Sequence, residues 1–140
     1  MQRFFYILLS LSLLLSCTNH EVIDHQWLED NYSKREVMIP MRDSVRLHTS
    51  LYEPLHAESC PILMIRTPYS CAPYGDGWAD DLIGFLSQFL KNEYIIVFQD
   101  VRGRFMSEGE FMNVRPFDPY KSGTETDEAS DTYDTIEWLI

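Results

Sequence analysis

Residues 94–109, YIIVFQDVRGRFMSEG, constrain the fold more than any other stretch of the chain. Tyr94, Ile95, Ile96, Val97 and Phe98 form an unbroken apolar run. A short run of that kind fits a strand covered on both faces. Polar character then returns with Gln99 and Asp100, followed by Arg102, Gly103 and Arg104. Polar groups therefore stand at the carboxyl end of a buried strand, where open α/β sheets bind ligands. Charged loops also close strands with no further role. The residues alone leave both readings open for Asp100, Arg102 and Gly103.

The segments around this run make it the centre of a mixed sheet. Residues 36–40 and 45–52 read as a hairpin. In its second arm Val45, Leu47, Thr49 and Leu51 alternate with Arg46, His48, Ser50 and Tyr52, the period of a strand with one buried face. Residues 41–44 form the turn, with Ser44 where glycine would adopt a positive φ more easily. Pro54 ends the arm. Residues 61–65, another apolar run, give a third strand. Asp80 or Asp81 starts a helix through Lys91, with Leu82, Phe85, Leu86, Phe89 and Leu90 as its apolar stripe. After a long loop, Thr126 is placed to cap a second helix, whose inner stripe is Ala129, Tyr133, Ile136 and Ile140. The order hairpin, strand, helix, strand, helix implies a parallel pair joined by a right-handed crossover. That is an α/β fold in which an antiparallel hairpin leads into a parallel sheet, an opening shared by the amino-terminal part of an α/β-hydrolase and by other mixed α/β sheets.

The first segment reads as an export signal. Residues 1–16 carry Arg3 and then a short apolar core. They end Leu14-Leu15-Ser16-Cys17, which resembles a bacterial lipobox, with Cys17 as the lipidated residue. Acyl chains on Cys17 would tether an exported lipoprotein to a membrane, periplasmic or at the cell surface, without a spanning helix. Residues 17–31 then read as a tether with a short helix around Trp27 and Leu28, and residues 32–140 as the folded α/β domain. Export would put Cys60 and Cys71 where disulfides persist. They flank a strand, so a bridge and two free thiols both stay open.

A search for chemistry gives little from the residues themselves. The net charge of -11 argues against a nucleic-acid partner. No G-x-S-x-G segment occurs, and Ser107 in Phe105-Met106-Ser107-Glu108-Gly109 lacks the small leading residue a nucleophile elbow requires. His20, His25, His48 and His56 share no metal-ligand spacing and read as solvent-facing or partly packed, so no metal is expected. Neither cysteine has a histidine near it in sequence, and no phosphate loop or dinucleotide fingerprint implies a cofactor. Tyr69, just past the third strand, could donate its phenol hydroxyl to an oxyanion or simply pack with that hydroxyl satisfied.

Four segments together carry a resemblance. REVMIPMRDSVRLHTSLYEP, PILMIRTPYSCAPYG, YIIVFQDVRGRFMSEGEF and DEASDTYDTIEWL, in this order, resemble the amino-terminal part of the X-Pro dipeptidyl-peptidase-like serine hydrolases. Cocaine esterases, glutaryl-cephalosporin acylases and α-amino acid ester hydrolases belong to that group. The stretch with Arg115-Pro116 looks most like the α-amino acid ester hydrolase branch. The resemblance implies acyl transfer by a Ser-His-Asp triad on esters, amides or X-Pro-type peptides. It gives Tyr69 the oxyanion-hole role and leaves Asp100, Arg102 and Gly103 as scaffold at the active-site rim.

The helical pattern runs to Ile140 with no Gly, Asn or Pro to stop it, so the chain reads as the amino-terminal piece of something longer. On that reading it stops before the nucleophile, the triad acid and the histidine, and would be inactive alone. It would also lack strands flanking residues 94–99, leaving an exposed, aggregation-prone edge. A non-catalytic surface lipoprotein with a truncated α/β binding module is the competing expectation. Oligomeric state is left open.

Overall fold

The computed structural model describes residues 22–140. The signal segment, Cys17 and His20 lie outside the described residues. A short helix, α1 (His25–Asn31), begins at Asp24, whose carboxylate accepts the Trp27 amide at 2.8 Å. It runs directly into β1 (Tyr32–Pro40), which pairs antiparallel with β2 (Arg46–Pro54) from Tyr32↔Pro54 to Pro40↔Arg46. The turn closes through Met41 N–H to Val45 O and Ser44 N–H to Met41 O, both 2.8 Å. Ser44 takes φ 70°, the left-handed region that glycine enters at less cost.

Next come β3 (Ile62–Thr67), the one-turn helices α2 (Asp80–Ile83) and α3 (Ser87–Leu90), β4 (Ile95–Asp100) and α4 (Glu128–Leu139). The sheet order is β1-β2-β4-β3. β4 lies parallel to β3, Ile62↔Ile95 through Thr67↔Asp100, and antiparallel to β2, Thr49↔Gln99 through Tyr52↔Ile96. The hairpin thus leads into a parallel pair, the mixed α/β architecture expected. The expectation that residues 94–99 would lack flanking strands is corrected: β4 has a partner on each side. β2 reaches it from the hairpin, a pairing that the linear order strand-helix-strand does not reveal.

Helical segments cover both faces of the sheet. On one face Tyr52, Ile96 and Phe98 pack with Leu28, Leu82, Leu86 and Leu90. On the other, α4 lies over Thr49, Gln99 and Arg66. Because β2 is interior and covered on both sides, Leu47 through Tyr52 are all buried. This corrects the reading of a strand with one buried face and a polar face carrying His48: His48 is 5% exposed. The helix expected from Asp80 to Lys91 is broken at Gly84, whose ψ of -116° leaves helical space. Gly84 weakens a helix interior. Leu82, Leu86 and Leu90 face the core, while Phe85 and Phe89 turn outward.

α4 departs furthest from expectation. Its cap is Asp127, one residue past Thr126, whose carboxylate accepts the Ser130 amide at 2.7 Å while Ser130 Oγ accepts the Asp127 amide at 2.8 Å. Its buried residues are Ser130, Asp131 and Thr135. Ala129, Tyr133, Ile136 and Ile140, read as the inner stripe, are exposed. The sheet face beneath carries Arg66 and Gln99, with Arg102 just beyond the strand end, so the helix docks through side chains that can bond to them.

Candidate active site

Two loops leave the carboxyl ends of the parallel strands side by side: residues 68–78 after β3, and residues 101–109 after β4. Val101 N–H to Thr67 O (3.1 Å) and Arg104 Nε to Pro68 O (3.0 Å) tie them together. Asp100, fully buried, anchors the first loop. Its Oδ1 accepts the Cys71 amide at 2.9 Å, and its Oδ2 accepts the Tyr74 hydroxyl at 2.8 Å and the Met106 amide at 3.3 Å. Burial, with the Asp100 carboxylate adding to it, pushes the Tyr74 phenol up to about 12. Tyr74 therefore stays a donor at neutral pH.

Tyr69 stands at the lip of this arrangement. Its amide donates to Thr67 Oγ1 at 3.0 Å, and its side chain is 85% exposed. It is not packed with a satisfied hydroxyl, one of the two readings open from sequence. Ser70 follows at φ 90°, a strained setting for a residue with a Cβ. Its hydroxyl lies 2.9 Å from Tyr74 Oη and accepts the Ala72 amide at 3.1 Å. The strain sits beside a side chain held outward by a loop that is pinned from beneath.

Lys34 supplies a second restraint. Its ammonium donates to the carbonyls of Pro73 (2.6 Å), Gly75 (2.6 Å) and Gly77 (2.8 Å), and lies 3.1 Å from Glu36 Oε1. Glu36 also accepts the Gly75 amide at 2.8 Å. Burial works against the Glu36 carboxylate, but Lys34, His48 and that amide together hold its pKa below the usual value.

The second loop is held by Arg102. Its guanidinium binds Asp131 through Nε (2.9 Å) and Nη2 (2.6 Å), and Asp43 through Nη1 (2.7 Å) and Nη2 (3.2 Å). The hydrogen bonds to Asp131, then to Asp43, raise the Arg102 pKa against the cost of burial. Arg102 thus joins the hairpin turn, the β4 loop and α4. Gly103 adopts φ 67°, and a Cβ there would meet Phe111 N at 2.1 Å, so the loop cannot close over any larger residue. Ser107 donates to Asp100 O at 2.6 Å and accepts the His48 amide at 2.8 Å. Its hydroxyl is committed to backbone. Beneath α4, Arg66 binds Gln99 Oε1 (2.8 Å), Thr132 Oγ1 (2.7 Å) and Glu128 (3.1 Å).

The fold also gathers groups that linear spacing kept apart. Cys60 and Cys71 are both free, on opposite sides of β3. Cys71 Sγ lies 3.5 Å from His48 Nδ1, which is 4.0 Å from Asp100 Oδ2. Burial, with Asp100 adding to it, pushes the Cys71 thiol up to about 12. Linear spacing hides this cluster, because His48 and Cys71 are 23 residues apart and meet only through the fold.

The order of strands and the paired loops at the parallel strands' ends define the amino-terminal part of an α/β-hydrolase core. Residues 43–140 match the X-Pro dipeptidyl-peptidase (S15) family, and the chain belongs to that family of hydrolases. It is similar to a cocaine esterase of Rhodococcus sp. (strain MB1 Bresler), with 35% identity over 114 residues, 81% of this chain and 18% of that protein. Among solved structures it is similar to an aminopeptidase from the marine sediment archaeon Thaumarchaeota archaeon, with 36% identity and a TM-score of 0.68. It is also similar to an α-amino acid ester hydrolase, with 37% identity and a TM-score of 0.63. Each comparison covers 89% of this chain and 21% of the solved one. The chain therefore spans about a fifth of the length of the relatives it matches.

Proposed function

We propose that this chain supplies the oxyanion-donating side of a serine hydrolase that acts by acyl transfer on esters or amides, with α-amino acid esters or X-Pro-type peptides as the substrate class. The observation that carries this reading is the setting of Tyr69. A fully polar-ended side chain is held outward at the carboxyl end of a parallel strand, on a loop fixed by Asp100, Arg104 and Lys34. A preorganised donor is what a developing oxyanion requires, because no reorganisation is needed as charge appears. The names of the relatives, a cocaine esterase and an α-amino acid ester hydrolase, support ester chemistry. Asp100, Arg102 and Gly103 serve as scaffold: each is committed to holding a loop rather than free to meet substrate.

The nucleophile, triad acid and triad histidine belong to parts of the enzyme outside these 140 residues. In the complete hydrolase, Tyr69→Phe is expected to lower kcat by about 10²–10³-fold on an activated ester while circular dichroism stays unchanged. Unchanged turnover overturns the oxyanion role.

The same reading places the protein outside the cytoplasm, held by lipid on Cys17. The basic start, short apolar core and Leu14-Leu15-Ser16-Cys17 support it. Cys17→Ser is expected to move the protein from the membrane to the soluble fraction. Membrane association that survives the substitution refutes the anchor.

A further inference from the structure

The buried group behind Tyr69 has the composition of a metal centre. His48 Nδ1, Cys71 Sγ and a carboxylate oxygen of Asp100 lie within 4.8 Å of one another, and all three residues are buried. A zinc ion with sulfur at about 2.3 Å and nitrogen at about 2.0 Å in tetrahedral geometry separates those two ligands by about 3.5 Å. Cys71 Sγ and His48 Nδ1 stand 3.5 Å apart. The nitrogen-to-oxygen edge of such a tetrahedron is about 3.3 Å. Here it is 4.0 Å, so Asp100 needs to move by less than the width of an atom.

Three further features fit an ion. Glu36 Oε2 lies 3.4 Å from His48 Nε2. With the ring proton on Nε2 facing that carboxylate, the Nδ1 lone pair faces Cys71. A carboxylate behind a ligating histidine is the usual outer support of a zinc site. Second, one thiolate and one carboxylate balance a divalent charge, so the filled site is neutral in a buried setting. Third, Ser50 shares this face of β2 and neighbours the Cys71 thiol. Its hydroxyl is wholly buried, with the Cys71 thiol beside it as a weak hydrogen-bond partner. A thiol bonds a hydroxyl only weakly, and an ion or its bound water beside Cys71 would bond it more strongly.

We propose that His48, Cys71 and Asp100 bind Zn²⁺, with Ser50 or a water in the fourth position. The Cys71 thiol gives its proton to solvent as the metal–sulfur bond forms, and no electrons are exchanged. The sulfur and imidazole donors favour Zn²⁺ over Mg²⁺ or Ca²⁺, which take oxygen ligands. The ion would lock β2, β4 and the loop after β3 together, two residues from Tyr69. The proposal stands apart from the hydrolase reading, since it concerns what braces the loop and not what the loop does to substrate.

Cobalt tests it. The protein, produced from its complete reading frame, is stripped with a chelator and refolded with Co²⁺. One equivalent is expected to give a thiolate-to-cobalt charge-transfer band in the near ultraviolet and the intense visible bands of a tetrahedral site, and Zn²⁺ should bleach both. Cys71→Ser and His48→Gln should abolish the charge-transfer band, while Cys60→Ser keeps it. Glu36→Gln should weaken binding by about 10–100-fold. Circular dichroism of each variant separates lost ligation from lost folding. No charge-transfer band in the parent protein, a band that persists in a folded Cys71→Ser, or a band lost in Cys60→Ser overturns the proposal.

Discussion

The two faces of the sheet differ in how far directional bonds add to apolar packing. On one, Leu28, Tyr52, Leu82, Leu86, Leu90 and Ile96 close an apolar core around which no directional bond is needed. On the other, α4 docks through Asp131, Thr132 and Thr135 onto Arg66, Gln99 and Arg102 by hydrogen bonds and charge, beside a smaller apolar cluster of Ile39, Met41 and Leu47. Apolar packing tolerates small shifts, because its energy follows area. A buried ion pair does not, because each charge relies on its partner. The first face sets the thickness of the domain. The second fixes the angle and register of the elements that carry the loops.

Arg102 makes the sharpest test of that contrast. Arg102→Ala removes the two close bonds to buried Asp131 and leaves it only Arg66, 3.9 Å away, and is expected to cost about 3 kcal/mol in urea unfolding. A loss under 1 kcal/mol would mean that water reaches Asp131 and that the two faces are less different than the contacts suggest. Leu90→Ala, on the apolar face, should cost about 2–5 kcal/mol, with the lower values if the site collapses around the cavity. The two variants should also differ in salt: only the Arg102 variant should change its margin from the parent as ionic strength rises.

The smallest effect belongs to the α4 cap. Burial opposes the Asp127 carboxylate, but the Asp118 and Ser130 amides and Lys121 outweigh it and hold its pKa well below the ordinary value. A depressed folded pKa means stability that is full above the unfolded value near pH 4 and is lost as pH falls towards the folded one. Asp127→Ala should therefore cost about 0.5–2 kcal/mol at neutral pH. Its gap from the parent should narrow below about pH 4. A constant gap down to acid pH would assign the effect to helix propensity instead.

The same contrast explains what could be read from sequence. β4 and β3 announce themselves as apolar runs, and the turn at residues 41–44 follows from alternation. The fold class follows from their order. α4 misled because its apolar residues do recur at helical spacing, yet Tyr133, Ile136 and Ile140 face outward. Periodicity locates a helix but cannot say which face is buried when the sheet beneath it offers Arg66 and Gln99 as hydrogen-bond partners. His48 misled for a related reason: alternation marks the polar side of a strand, and only the covering loop with Cys71 turns that side into an interior. Tyr69 could be placed past a strand from sequence, but its outward pose depends on the Asp100 and Lys34 bonds, which join residues far apart in the chain.

Lys34 carries one more consequence. Its three ammonium N–H bonds are spent on three carbonyls of a single loop, and its side chain is 6% exposed. A nucleophilic amine needs a clear approach, and Lys34 has none while the loop is closed. Acylating reagents can therefore mark it only in molecules whose loop has lifted. The rate at which Lys34 is labelled becomes a stopwatch for that opening, read by mass spectrometry without touching Tyr69 or Cys71.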